Sequence, residues 1–95
     1  MNGNRKRHRT SLDILRDVLE VIDKNGEATI TRIASEANVP HSRLKGLMNR
    51  LVNAGVVEEV MNDDGRRLYS LTEKGIRVLT TLRDLRSFLS ALGLI

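Results

Sequence analysis

The chain has 95 residues, 16 of them Lys or Arg and 12 Asp or Glu, for a formal net charge of +4, and it contains no cysteine. Such a length makes one small domain with a limited core that would benefit from a partner. The missing cysteine excludes disulfides and thiolate metal sites, and the two histidines, His8 and His41, stand far apart in sequence, so neither a metal site nor a cofactor is expected.

Residues 1–10 read as a disordered basic arm: polar, rich in Asn, Gly and Arg, with nothing to bury. Arg5, Lys6, Arg7 and Arg9 carry the whole charge excess, because the other 12 basic residues are balanced by 12 acids. A short basic tail beside a neutral body points to a polyanionic partner; the plainer alternative is a solubilising terminus. No apolar run approaches the roughly 20 residues that span a membrane. No apolar signal-peptide core follows the basic start, so an intracellular protein without a membrane partner is expected.

Thr10, with Asp13 three residues later, has the form of a capping box. The spacing of Leu12, Ile14, Leu15, Val18, Leu19 and Ile22 predicts an amphipathic first helix over roughly 11–24, ended by Asn25-Gly26. Its outer face is net acidic, with Asp13, Asp17, Glu20 and Asp23 against Arg16 and Lys24. Such a face should point away from a nucleic acid. Ala28 to Ile30 is long enough only for a short strand. Thr31 is expected to cap a second helix running to about Ala37, with Ile33, Ala34 and Ala37 facing in. Asn38 suits the left-handed residue that follows.

From Val39 to Gly55 the chain reads VPHSRLKGLMNRLVNAG. Leu44, Leu47, Met48, Leu51 and Val52 recur at helical spacing and cluster on one side. The other side carries Ser42, Gly46, Asn49 and Asn53 flanked by Arg43, Lys45 and Arg50, with no acid in the stretch. Pro40 fits the helix start and Gly55 the position just past its end. Two short helices joined by a tight turn, the second basic and amphipathic, make a helix-turn-helix pattern.

Val56–Met61 and Arg66–Leu71 predict two strands joined by the turn Asn62-Asp63-Asp64-Gly65. Asp63 and Asp64 read as turn formers and not as a catalytic or metal pair, since no third ligand accompanies them. Thr72 is expected to cap a last helix from Glu73 to about Leu92. Val78, Leu82, Leu85, Leu89 and Leu92 are spaced four, three, four, three, the a/d pattern of a coiled-coil seam. Ile76, Leu79 and Phe88 widen the stripe, towards the domain body near the helix start, and Tyr69 and Phe88 read as core residues. The alternative is that the seam folds back onto the first helix.

The order helix, short strand, helix-turn-helix, hairpin, helix resembles a winged helix. LKGLMNRLVNAGVVEE, Leu44 to Glu59, is similar to a recognition helix running into the wing, and YSLTEKG, Tyr69 to Gly75, resembles the segment after it, whose Thr caps the next helix. With its heptad helix the chain resembles the small archaeal winged-helix DNA-binding proteins that dimerise through a C-terminal antiparallel coiled coil, which are chromatin proteins or transcription regulators. Similar domains also serve plasmid segregation, and some winged helices bind proteins. The resemblance implies a mainly α fold with a β-hairpin wing. Its parts would be the arm, a winged helix-turn-helix domain over 11–72 and a dimerisation helix over 73–95.

The implied function is a homodimer on double-stranded DNA, nucleoid-associated and without catalysis, as no nucleophile–base pair or phosphate loop is present. The helix from His41 to Ala54 would enter the major groove. Ser42 and Asn49 lie near the centre of its outer face, and Asn49 carries the donor–acceptor pair that matches adenine. Gly46 between them would let the backbone approach closely, unless it is merely a tolerated helix glycine. Arg43, Lys45 and Arg50 would bind phosphate, with guanine a second option for Arg43. His41 either touches phosphate or simply sits near the turn. Arg66 and Arg67 would place the wing on the backbone or in the minor groove, and the arm residues Arg5, Lys6, Arg7 and Arg9 would lie along the backbone or in a minor groove. The dimer seam would be Val78, Leu82, Leu85, Leu89 and Leu92.

Overall fold

The computed structural model describes residues 9–95. Four helices and one hairpin follow in the order α1 (Ser11–Asn25), α2 (Ile30–Ala37), α3 (His41–Asn53), β1 (Val57–Met61), β2 (Arg67–Leu71) and α4 (Glu73–Ala91). This is the winged-helix order expected from the sequence.

The helix ends follow local chemistry. The Thr10 hydroxyl accepts from the Asp13 amide at 3.1 Å and the Asp13 carboxylate accepts from the Thr10 amide at 3.0 Å, closing the capping box of α1. Asn38 after α2 lies in the left-handed region with φ 57°. The N-cap of α2 is Thr29, not the expected Thr31; its hydroxyl accepts from the Arg32 amide at 3.2 Å. The reason is tertiary. Ala28 pairs with Tyr69 as an isolated bridge, its amide donating at 3.0 Å and its carbonyl accepting at 2.9 Å. The chain is thus held extended only as far as residue 29, and the helix begins directly after it. The expected short strand is therefore a single bridge onto the hairpin.

The hairpin is antiparallel, with Val57 opposite Leu71, Glu59 opposite Tyr69 and Met61 opposite Arg67. Gly65 turns it at φ 84°. Val18, Leu19 and Ile22 of α1, Ile33 of α2, Leu44 and Met48 of α3, Val57, and Leu79 of α4 form the fully buried centre, with Tyr69 beside them.

The Thr-Glu-Lys-Gly run ties α4 to the end of α3. The Thr72 hydroxyl accepts from the Gly75 amide at 3.0 Å and sits within hydrogen-bond distance of the Gly55 and Val56 carbonyls. Lys74 donates to the Ala54 carbonyl at 3.1 Å. Gly75 passes so close that a Cβ there would lie 2.1 Å from the Val56 carbonyl oxygen. A glycine is required at that position by this contact with backbone, which cannot rotate away.

The structure corrects three expectations, two of them along α4. Leu79 is buried, but Ile76, expected against the domain body near the helix start, is 52% exposed, and Phe88, expected in the core, is 61% exposed. At about 100° per residue, nine residues carry Phe88 to the side opposite Leu79. Leu12, assigned to the inward stripe of α1, is likewise exposed. Val78 and Leu82, at the start of the proposed seam, are half-buried against the domain's own core. The start of α4 thus belongs to the domain's core, while its far part runs beside α1 across an open groove. Arg83 ties the two helices together, gripping Glu20 of α1 through two nitrogens at 2.9 and 2.5 Å and reaching Asp23 at 3.1 Å. No helix among the described residues is long and apolar enough to cross a membrane.

Candidate nucleic-acid interface

On α3, Leu44, Met48 and Leu51 point into the core, and that choice turns Ser42, Arg43, Lys45, Gly46, Asn49 and Arg50 outward together. All six are exposed. Among the described residues, none of the side chains of Ser42, Arg43, Lys45, Asn49 and Arg50 enters a hydrogen bond or ion pair within the domain. A Cβ on Gly46 would meet nothing nearer than the Arg50 guanidinium at 3.8 Å. Packing inside the domain therefore does not require a glycine there.

The hairpin stands beside this face. Between α3 and the hairpin runs an open cleft of about 380 Å³. Its walls are His41, Lys45 and Asn49 on one side and Arg66 and Arg67 on the other, over a floor that includes Met48 and Tyr69. His41, for which the sequence left two readings open, thus borders the same cleft as the wing arginines. The Arg66 side chain is unpaired among the described residues, whereas Arg67 meets Glu59 across the strands at 2.5 Å. Glu59 and Arg67 share one face of the hairpin because Glu59 stands opposite Tyr69, two residues beyond Arg67.

Arg9, grouped with the arm in the sequence, is built into the domain. Its guanidinium donates to the Asn38 and Ala37 carbonyls at 2.8 Å each and to the Asp17 carboxylate at 2.7 Å. It thereby satisfies the free carbonyls at the end of α2 and pins the start of α1 to the helix-turn-helix turn. No local pattern signals this role, since the partners lie 28 and 29 residues away. Arg5, Lys6 and Arg7 lie outside the described residues.

The acidic face of α1 is largely consumed by ion pairs. Asp17 pairs with Arg9 and with Arg16, and Glu20 and Asp23 with Arg83. The hydrogen bond from Arg83 holds the Glu20 carboxyl below its ordinary range, and Arg83 is in turn held more firmly charged. Glu36 is lowered likewise, chiefly by the Asn25 amide and Lys24. On the far part of α4, Leu85, Phe88 and Leu92 are exposed and follow one another at steps of three and four, while Leu89 is half-buried. Leu82, Leu85 and Leu89 also border a groove of about 230 Å³ shared with Leu12 and Arg16 of α1.

The winged helix-turn-helix family model matches residues 8–90, nearly the whole chain. The chain belongs to the winged helix-turn-helix family. Among solved structures, this winged helix is similar to Sso10a-2, a DNA-binding protein from Sulfolobus solfataricus. The TM-score is 0.76 at 24% identity, over 88% of this chain and 85% of that one. It is also similar to a MarR family transcriptional regulator from Silicibacter pomeroyi, with TM-score 0.73 and 23% identity over 82% of this chain and 53% of the other. The oxidized form of MarR from E. coli matches with TM-score 0.71 and 26% identity over 77% of this chain and 53% of that one. The winged helix thus spans about half the length of those two regulators, but most of Sso10a-2. No curated protein matches the chain.

Proposed function

We propose that this winged helix is a homodimeric double-stranded DNA-binding protein, acting as a transcription regulator or as a chromatin-associated protein. The observation that carries the reading is the outer face of α3: five exposed side chains around Gly46, basic or amide- and hydroxyl-bearing, acid-free and unengaged by the rest of the domain. Burial of Leu44, Met48 and Leu51 holds that face rigidly outward. The DNA-binding description of Sso10a-2 agrees with it. In this reading α3 lies in the major groove, with Asn49 and Ser42 at the base edges and Arg43, Lys45 and Arg50 on phosphates. The hairpin lies on the backbone or minor groove through Arg66, and through Arg67 once it leaves Glu59. Arg5, Lys6 and Arg7 add charge from the arm.

The dimer rests on the far part of α4. Leu85, Phe88 and Leu92 make an exposed apolar stripe along the helix, and a stripe of this kind favours pairing with its equivalent on a second copy. Val78 and Leu82, already packed on the core, would contribute at the stripe's base.

Titration of labelled duplex by fluorescence anisotropy at two or more salt concentrations, with a protein competitor in a parallel series, tests the reading. Affinity should fall steeply with salt, and the Lys45→Ala and Arg50→Ala variants should each reduce the log–log slope by about two, about one for each protomer of the dimer. Asn49→Ala should relax base preference at one position by about 1–3 kcal/mol. Binding that survives loss of Lys45 and Arg50 together, with an unaltered salt slope, would reject this interface.

A further inference from the structure

The cleft between α3 and the hairpin combines features that an ordinary solvated face lacks. Two elements distant in sequence place His41 and Lys45 opposite Arg66 and Arg67, with the Asn49 amide beside them. Their convergence depends on Tyr69, buried at the cleft floor and bridged to Ala28, which sets the hairpin's position against the helical domain. Its lining has no acid; Glu59 meets it only through Arg67. On the α2 side Thr29 and Ile30 complete the wall, and the charges nearest there, Glu27, Arg32 and Glu36, border the adjoining depression that Arg66 also touches.

We infer that this cleft is a seat for a single DNA backbone phosphate gripped by His41 and Lys45 from the helix and Arg66 from the wing, and that seating it makes His41 take up a proton. The inference rests on the DNA-binding reading above and goes beyond it by naming one residue that makes binding depend on pH. A tetrahedral oxyanion accepts several charge-assisted hydrogen bonds at once, and cations converging from two sides suit it. A seated phosphate favours the charged imidazole, and protonation turns its acceptor nitrogen into a second donor.

The direction of the pH effect follows. The occupied seat stabilises protonated histidine, so the gain is present below the ordinary histidine range, near pH 6.5, and is lost as pH rises through and above that range. Carboxylates ordinarily titrate well below this window and lysines well above it.

The test measures duplex Kd by anisotropy from pH 6 to 8 at fixed ionic strength on the full chain, on His41→Gln, His41→Lys and Arg66→Gln, and on His8→Gln as control for the other histidine. The wild-type homodimer should bind about a hundredfold more tightly at pH 6 than at pH 8, about tenfold for each of its two His41 residues if each links one proton over about one pH unit. His8→Gln should keep that dependence. His41→Gln should bind at all pH values as the wild type does at pH 8, and His41→Lys should be tight and flat. Arg66→Gln should shrink the pH dependence together with the salt slope. A wild-type curve that is tight but flat, or a His41→Gln variant as pH-sensitive as the wild type, overturns the inference while leaving DNA binding standing. Absence of duplex binding at every pH overturns both.

Discussion

Replacing Gly46 by alanine separates the folding role of α3 from its proposed work at DNA. In the interior of an exposed helix, alanine is favoured over glycine by about 0.5–1 kcal/mol. The space is available: the new Cβ would meet only the Arg50 guanidinium, at 3.8 Å, an ordinary van der Waals contact with the end of a flexible side chain. Gly46 also lies outside the positive-φ positions of the chain, so no backbone strain opposes the change. The variant should therefore be more stable by about 0.5–1 kcal/mol, a rise of a few degrees in Tm for a domain of this size, where 1 kcal/mol corresponds to about 4–8 °C. Its duplex affinity should fall by about tenfold, equivalent to about 1.4 kcal/mol, because a methyl group at the centre of the outer face holds the helix away from the groove. Calorimetry and anisotropy on one preparation read both quantities. Gly75→Ala is the control for the same chemical change, since its Cβ would stand 2.1 Å from the Val56 carbonyl oxygen and 3.1 Å from its carbon. That variant should lose about 1–3 kcal/mol or more. A Gly46→Ala protein that binds DNA as the wild type does would refute the close approach of α3, and one that is destabilised would refute the packing argument.

Sedimentation of Phe88→Glu and Leu85→Glu should show a monomer at concentrations where the wild type is dimeric, with helical content retained; a dimer that persists in both would remove the stripe from consideration. Arg9→Met should lower stability by about 1 kcal/mol, the worth of a partly exposed guanidinium that bonds two carbonyls and a carboxylate. Chemical denaturation detects that loss, and an unchanged midpoint would argue that Arg9 is dispensable to the fold. Because Arg83 lowers the Glu20 carboxyl below its ordinary 4.5, the pair contributes stability above that pH and loses it as the pH falls through the lowered value. Glu20→Gln should therefore flatten the acid limb of a Tm-against-pH curve below about pH 4.5 while costing stability at pH 7. A wild-type-shaped acid limb in that variant would show that the clamp carries no folding linkage.

The sequence by itself determined the elements and the polarity of their faces. Helical spacing of Leu44, Met48 and Leu51 dictates which side of α3 is buried, so Lys45, Asn49 and Arg50 had no alternative but to face out. Thr10, Asn38, Gly65 and Thr72 mark element ends through contacts or dihedrals within a few residues of themselves, which is why they were legible. The tertiary structure decided whatever depends on partners far along the chain. Thr29 caps α2 in place of Thr31 because Tyr69, forty residues on, holds Ala28 extended. Arg9 sits in the fold because the end of α2 supplies its acceptors, and Phe88 is exposed because α4 spends its opposite face on α1 and the hairpin. A heptad pattern records where apolar residues lie on a helix, not which neighbour covers them. The cleft that joins His41 to the wing arginines is likewise a property of two elements meeting, and no single stretch of the chain contains it.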